Sequence, residues 1–289
     1  MAEAQKAVVV TGVSTGIGWG AAKVLTKAGF KVFGSVRKAA DAQRLSAELG
    51  ANFTPLMFDV TDEKAVRASI ATVRAGLSGQ KLFGLVNNAG ISVAGPLVYL
   101  PVDEFRKQLE VNLTGVVITT QAFAPLLGID DSLKGKPGRI VNISSVGGHN
   151  ATPLLTPYNV SKFGLEGLSE GLRRELMLFE IDVIVIAPGA VATEIWAKAD
   201  QIDAARYANT AYAKPLDRLR KIAAEQGKKG LKPEVLGRAI MHALTTARPK
   251  VRYVVTPDRV TNWVVTNLPK RRVDRIIGGR LGLLPAKSK

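Results

Sequence analysis

Residues 6–29 read KAVVVTGVSTGIGWGAAKVLTKAG, with three consecutive valines near the start. A β-branched run without polar alternation fits a strand buried on both faces. Gly12, Gly16 and Gly18 then allow a tight turn. Apolar residues at helical spacing follow, up to Gly29, a helix stop. Strand, glycine turn and helix form the first part of a βαβ unit, and the pattern recurs along the chain. Short apolar runs at KVFGSVR (31–37), NFTPLMFDV (52–60), KLFGLVNNAG (81–90), GRIVNISS (138–145), IDVIVIAPG (181–189) and KVRYVVTP (250–257) read as further strands. Helical segments lie between them at 40–50, 61–75 (Thr61 or Asp62 as N-cap), about 103–127, 157–180 and 232–247. This alternation predicts an α/β fold with about seven strands in a doubly wound, mainly parallel sheet, and helices on both faces. Ligands of such sheets bind beyond the carboxyl ends of the strands, so the residues after each strand carry the functional reading.

The chain of 289 residues is long enough for one large core, and its 46% hydrophobic content suits a globular protein. The expected organisation is a single domain over 1–256, including a substrate-loop region at 194–230, and a basic amphipathic extension at 257–289. There is no cysteine, which excludes disulfides, thiol catalysis and Cys–zinc sites. With only His149 and His242 as histidines, no metal site is expected. The start, MAEAQKAVVVTG, lacks the basic-then-apolar pattern of a signal peptide, and no unbroken apolar run has the length of a membrane span. The expected location is cytoplasmic.

The glycine turn after the first strand invites a phosphate. Glycines let the backbone approach an anion, and the helix behind them offers unpaired N–H groups and a positive dipole end. The spacing G-x-x-x-G-x-G (Gly12, Gly16, Gly18) differs from the commoner dinucleotide fingerprint and lacks a P-loop lysine. A plain glycine-rich turn is the alternative. The second strand ends at Arg37, followed by Lys38, where many NAD sites carry an acidic residue. A guanidinium suits a ribose 2′-phosphate, which favours NADP(H) over NAD(H). Asp59 and Val60 end the third strand, as partners for an adenine ring. Asn87–Gly90 ends the fourth, with small residues permitting close approach and Asn87 in a structural role.

In PYNVSKFG (157–164), Tyr158 and Lys162 lie four residues apart, on one helix face about 6 Å apart along the axis. With TGVSTGIG, NNAG, Asn112 in EVNLTG, NISS, YNVSK and APGAVAT in this order over about 8–193, the sequence resembles the short-chain dehydrogenase/reductase family. The resemblance implies a Rossmann-like fold and an NADP(H)-dependent interconversion of alcohol and carbonyl. It assigns catalysis to Asn112, Ser145, Tyr158 and Lys162. Tyr158 is the acid/base, its pKa lowered by the nearby ammonium together with the positive nicotinamide of the oxidised cofactor. Ser145, thirteen residues before the tyrosine, steadies the substrate oxygen, and Ser144 is structural. Lys162 holds the nicotinamide ribose, and Asn112 a water-linked proton relay to the lysine. The implied cofactor contacts are Gly12, Ser14, Thr15, Gly16, Ile17, Gly18, Arg37, Asp59, Val60, Asn88, Ala89, Gly90, Tyr158, Lys162, Pro188, Gly189, Val191 and Thr193. His149 is a candidate pocket residue, and His242 a structural one. The rival readings are an epimerase or dehydratase of the same superfamily, which often needs an added substrate domain, and a catalytically idle NADPH sensor or scaffold, which typically loses the tyrosine, lysine or serine.

Substrate choice falls to ISVAGPLVYLP (91–101), VGGHNATPLLTP (146–157) and 194–230. The first two are apolar and favour a lipophilic substrate such as a steroid, retinoid or long-chain alcohol or carbonyl, although the same residues could serve packing. Dimers or tetramers through helices 103–127 and 157–180 are the family's usual assemblies. The net charge of +16 is concentrated at the end: residues 214–289 hold 19 Lys and Arg against 5 Asp and Glu. Val260, Trp263, Val264 and Leu268 have helical spacing, as do Val273, Ile276, Ile277 and Leu281, with Arg271, Arg272 and Arg275 beside them. Such a segment either lies peripherally on an anionic membrane surface or caps the core with its arginines in water. No recognition motif points to nucleic acid.

Overall fold

The computed structural model describes residues 5–193 and 205–285. Seven strands form one sheet: β1 (Ala7–Val10), β2 (Lys31–Val36), β3 (Phe53–Met57), β4 (Gly84–Asn87), β5 (Arg139–Ile143), β6 (Asp182–Pro188) and β7 (Arg252–Val255). The order is β3-β2-β1-β4-β5-β6-β7 and every pairing is parallel. The expected doubly wound sheet is therefore present. Its order reverses between β1 and β4, the switch point at which ligands of such sheets bind.

Alternate residues of each strand feed two cores. Val8, Val10, Val141, Ile143, Ile184 and Ile186 pack with α1 (Gly16–Lys27), α2 (Ala39–Leu49) and helix Pro233–Thr245. Ala7, Val9, Leu85, Ile140 and Val183 pack on the other face with α3 (Glu63–Ala68), α4 (Ile70–Gly76) and the long helix 102–129. Asp62 is the N-cap of α3, accepting from Ala65 N at 3.0 Å.

The helical run Val102–Ile129 meets the length and composition of a membrane span, but its apolar window is 67% buried in this core. It comprises α5 (Val102–Leu109), a π-turn at Glu110–Thr114, α6 (Gly115–Ala124) and a second wide turn at Pro125–Ile129. The helix continues through VNLTG by way of the π-turn. Helix α7 (Thr156–Glu175) carries the Tyr–Lys pair.

After β6 come α8 (Ala213–Lys229) and α9 (Pro233–Thr245). Beyond β7 lie α10 (Arg259–Asn267) and α11 (Lys270–Leu281). A third, smaller apolar cluster joins the end of the chain to the region above the sheet. Leu154, Tyr207, Leu216, Leu219 and Leu281 are buried together, with Ile277 packed against them. Of the two readings of the tail, capping accounts for Val273, Ile277 and Leu281. Trp196 and the rest of 194–204 lie outside the described residues.

Candidate active site

At the carboxyl end of β1 the chain turns through Gly12 (φ +69°) and Gly16 (φ +62°), a left-handed backbone that favours glycine. A Cβ on Gly12 would stand 2.9 Å from the Ala89 Cα, and one on Gly18 would collide with the Gly12 carbonyl. The loops after β1 and β4 are thus in backbone contact. Asn88 locks them further, its Nδ2 donating to the Thr11 and Gly12 carbonyls at 2.9 and 3.0 Å. The Thr11 hydroxyl accepts from Asn88 N and Ala89 N. Asn88 therefore braces the glycine loop through its side chain. Thr15 stands at the N-cap of α1 without a side-chain cap, and the first turn holds no acidic residue. The open N–H groups of Gly16, Ile17 and Gly18 suit an anion. Ser14 lies in the same turn, and Thr193 reaches it from beyond β6: a Cβ on Gly16 would meet Thr193 Cγ2 at 3.2 Å. Pro188 ends β6, Gly189 N bonds the Val255 carbonyl, and Val191 is buried beside Leu231.

Arg37 leans on Asp59, Nη1 to Oδ2 at 3.3 Å, with its side chain 68% exposed. Burial pushes the Asp59 carboxyl up, but hydrogen bonds from Thr61 and the Arg37 guanidinium outweigh it and hold the group below the usual carboxylate range. Val60 is buried and packs on Gly115 at the start of α6; Gly90 lies beside the Asn112 amide. Asn87 belongs to a buried network, bonding Thr119, Thr120 and Asn142, as its structural reading required.

The candidate catalytic residues converge at the ends of β4 and β5. Ser145 caps a short turn at Val146–Gly148, its Oγ accepting from Gly147 N at 3.0 Å. The same hydroxyl faces the Tyr158 phenol closely enough to favour its ionised form. Desolvation of the phenol is the larger effect and raises its pKa above the ordinary value. The downward pull on the phenol comes from the Ser145 hydrogen bond, and burial outweighs it. Lys162 Nζ donates to the Ile143 carbonyl at 2.8 Å and stands 5.7 Å from the phenol ring centroid. Burial carries the Lys162 ammonium down to about 8, against the opposing charge of Glu166.

Asn112 sits in the π-turn and is 1% exposed. Its Oδ1 accepts from Ile91 N at 2.9 Å, and its Nδ2 donates to the Ile91 carbonyl and the Ser161 hydroxyl. Buried Gln108 bonds Ile91 and Val93 in the same way. Two amides thus staple the loop after β4 to the helix. A relay through Asn112 does not start from its amide protons, both of which have partners. Ser144 is buried with its Oγ unpaired among the described residues, apart from the Ser145–Tyr158 pair.

Residues 6–203 match the model of the short chain dehydrogenase family. The chain belongs to the short-chain dehydrogenase/reductase family. It is 38% identical over 269 residues to the NADPH-dependent 3-dehydrocapnine reductase of Ornithobacterium rhinotracheale, covering 93% of this chain and 94% of the relative. Identity to the mitochondrial D-beta-hydroxybutyrate dehydrogenase of Rattus norvegicus is 32%, over 86% of this chain and 76% of that one. A short-chain dehydrogenase structure from Streptomyces avermitilis aligns over 98% of both chains, with a TM-score of 0.77 and 26% identity. The protein is thus an oxidoreductase of a family that uses nicotinamide dinucleotides.

Three features of this short-chain dehydrogenase/reductase escaped the sequence reading. Glu166, one turn beyond Lys162, accepts from Arg252 Nε of β7 at 3.0 and 3.2 Å, and lies 3.8 Å from His149 Nε2. The i, i+4 spacing from Lys162 was a usable signal; the arginine, 86 residues away, left none. His149 thus meets a carboxylate behind the lysine. Ser161, fully buried, links the Asn112 amide to the Tyr158 carbonyl. Arg44 of α2 donates to the Ser14 carbonyl at 2.6 Å and brings a second guanidinium to the edge of the glycine turn. His242 packs edge-on against Tyr253, in its expected structural role.

Proposed function

We propose that the protein is an NADP(H)-dependent reductase or dehydrogenase that interconverts a lipophilic alcohol and its ketone or aldehyde. The observation that carries this reading is the Tyr158 phenol, facing the Ser145 hydroxyl and one helical turn from buried Lys162. An idle sensor has no use for three such groups brought together.

The residues fit the cofactor. Gly12, Ser14, Thr15, Gly16, Ile17 and Gly18 form an open anion cradle whose close approaches a Cβ would fill. Arg37 would take a 2′-phosphate, and Asp59 and Val60 the adenine end. Asn88, Ala89 and Gly90 would supply the floor, with Pro188, Gly189, Val191 and Thr193 at the nicotinamide end, beside Tyr158 and Lys162. The bound cofactor supplies or accepts the hydride. The Ser145 hydroxyl donates to the substrate oxygen and steadies its developing charge. Tyr158 gives that oxygen a proton in the reductive direction and removes it in the oxidative one. A phenol with a raised pKa is held protonated, as reduction requires. Lys162 and the Asn112 region support proton resupply to Tyr158.

Two observations favour NADP(H): Arg37 stands at the β2 end, and the relative from Ornithobacterium rhinotracheale is named NADPH-dependent. Leu97, Val98 and Tyr99 expose apolar surface on the loop after β4, which supports a lipophilic substrate. Assembly as a homodimer or homotetramer through 102–129 and 156–175, and a cytoplasmic place with peripheral membrane contact, complete the proposal. NADPH consumption tested on long-chain, steroid and retinoid carbonyls beside a small 3-oxo acid checks the substrate class. Lipophilic substrates are expected to turn over, and activity confined to the 3-oxo acid would overturn that class. Arg37→Asp should weaken NADPH about ten-fold relative to NADH, a loss of one charge-assisted contact. An unchanged ratio counts against the 2′-phosphate role.

A further inference from the structure

We propose that α10, with the arginine-bearing face of α11, is a docking surface for an anionic lipid bilayer. Helix α10 buries none of its residues. Its apolar positions Val260, Trp263 and Val264 follow i, i+3, i+4 spacing and so share one face. They are 74%, 67% and 37% exposed. The side away from them carries the half-buried Asn262 and Val265, and the end of the helix is anchored by polar contacts: Asn150 Nδ2 donates to Thr266 Oγ1 at 2.8 Å, and Lys270 Nζ, at the start of α11, donates to Asn150 Oδ1 at 3.3 Å. The apolar face of this amphipathic helix therefore points outward, a placement that needs a partner.

Helix α11 differs. Val273 and Leu281 are buried and Ile277 packs inward, which leaves Arg271, Arg272, Arg275, Ile276 and Arg280 outside. Across 257–285 the cations are Arg259, Lys270, Arg271, Arg272, Arg275 and Arg280, and the only acids are Asp258 and Asp274. Asp258 is engaged as the α10 N-cap. An exposed tryptophan and valines beside unbalanced arginines complement an anionic headgroup layer over an apolar interior. A second copy on a two-fold axis would set these arginines against each other. Nucleic acid would leave the valines without a partner.

Asn150 belongs to the loop that begins at Ser145, so a docked α10 lies beside the catalytic loop. A lipid-dissolved substrate then enters from the bilayer; that consequence rests on the oxidoreductase reading, whereas the docking does not.

The test is cosedimentation of the full chain with phosphatidylcholine vesicles, with and without phosphatidylglycerol. Binding to the anionic vesicles only is expected. Arg271→Ser with Arg272→Ser should weaken it roughly thirty-fold, from about 1 kcal/mol per cation near a charged surface. Val260→Ser with Trp263→Ser should abolish it. Gel-filtration elution and NADPH oxidation of a soluble ketone should be unchanged in both variants. No recovery on anionic vesicles, equal recovery on both kinds, or variants that bind like the parent would overturn the proposal. So would a Trp263-dependent shift in oligomer size, or binding confined to a DNA duplex. Failure of NADPH oxidation in every variant would instead count against the enzymatic reading, while sedimentation still reports docking.

Discussion

Lys162 is a buried ammonium whose state depends on neighbours it does not contact directly. Desolvation lowers its pKa to about 8, and the Glu166 carboxylate opposes that fall. Glu166 is itself positioned by Arg252 and lies near His149. The sign follows: Lys162 is protonated below its folded pKa, and its charge is lost as pH rises through that value. Glu166→Gln removes the opposing charge, so the basic limb of the kcat/KM profile should move to lower pH. Glu166→Asp should restore part of it. A profile that stays in place while only stability falls would show that Glu166 acts in packing alone. Tyr158 and Lys162 were readable as a pair from their helical spacing, and Ser145 from the resemblance to the family. That burial outweighs any downward pull on the phenol was not readable, because burial depends on the whole fold.

The glycine turn and α1 form the element that holds the cofactor proposal together. Gly12, Gly16 and Gly18 were legible from sequence as a motif, and the left-handed backbone at Gly12 and Gly16 is a local requirement. Their reasons are long-range: Ala89 and Asn88 from the loop after β4, and Thr193 from beyond β6. Gly18→Ala forces a Cβ into the Gly12 carbonyl, so it should weaken NADPH affinity by at least about ten-fold, with a destabilisation of about 1–3 kcal/mol from overpacking. Calorimetric titration with NADPH, together with thermal melting, checks both. Unchanged affinity would place the phosphates elsewhere. Asn112 was legible through the resemblance, but the π-turn that holds it was not. Its amide, like that of Gln108, belongs to the loop after β4, a pairing that no local pattern encodes.

At the scale of the molecule, the sheet was legible strand by strand, since buried parallel strands read as unbroken apolar runs. Helix α8 and the inward face of α11 were less so. Their apolar residues belong to a small cluster whose members lie far apart in sequence: Leu154, Tyr207, Leu216, Leu219 and Leu281. The tail is therefore part of the cap above the sheet. Leu281→Ala should destabilise the chain by about 2–3 kcal/mol, the lower part of the usual range for a small cluster able to collapse. Urea unfolding measures it, and a loss near zero would mean that the tail contributes little to the cap.

The most direct measurement compares NADPH binding and NADPH consumption in the parent and Tyr158→Phe, using a carbonyl that the parent turns over. Retained binding with turnover reduced at least about a hundred-fold is predicted, the scale of a lost general acid. Turnover near the parent rate in Tyr158→Phe would contradict Tyr158 as the proton donor.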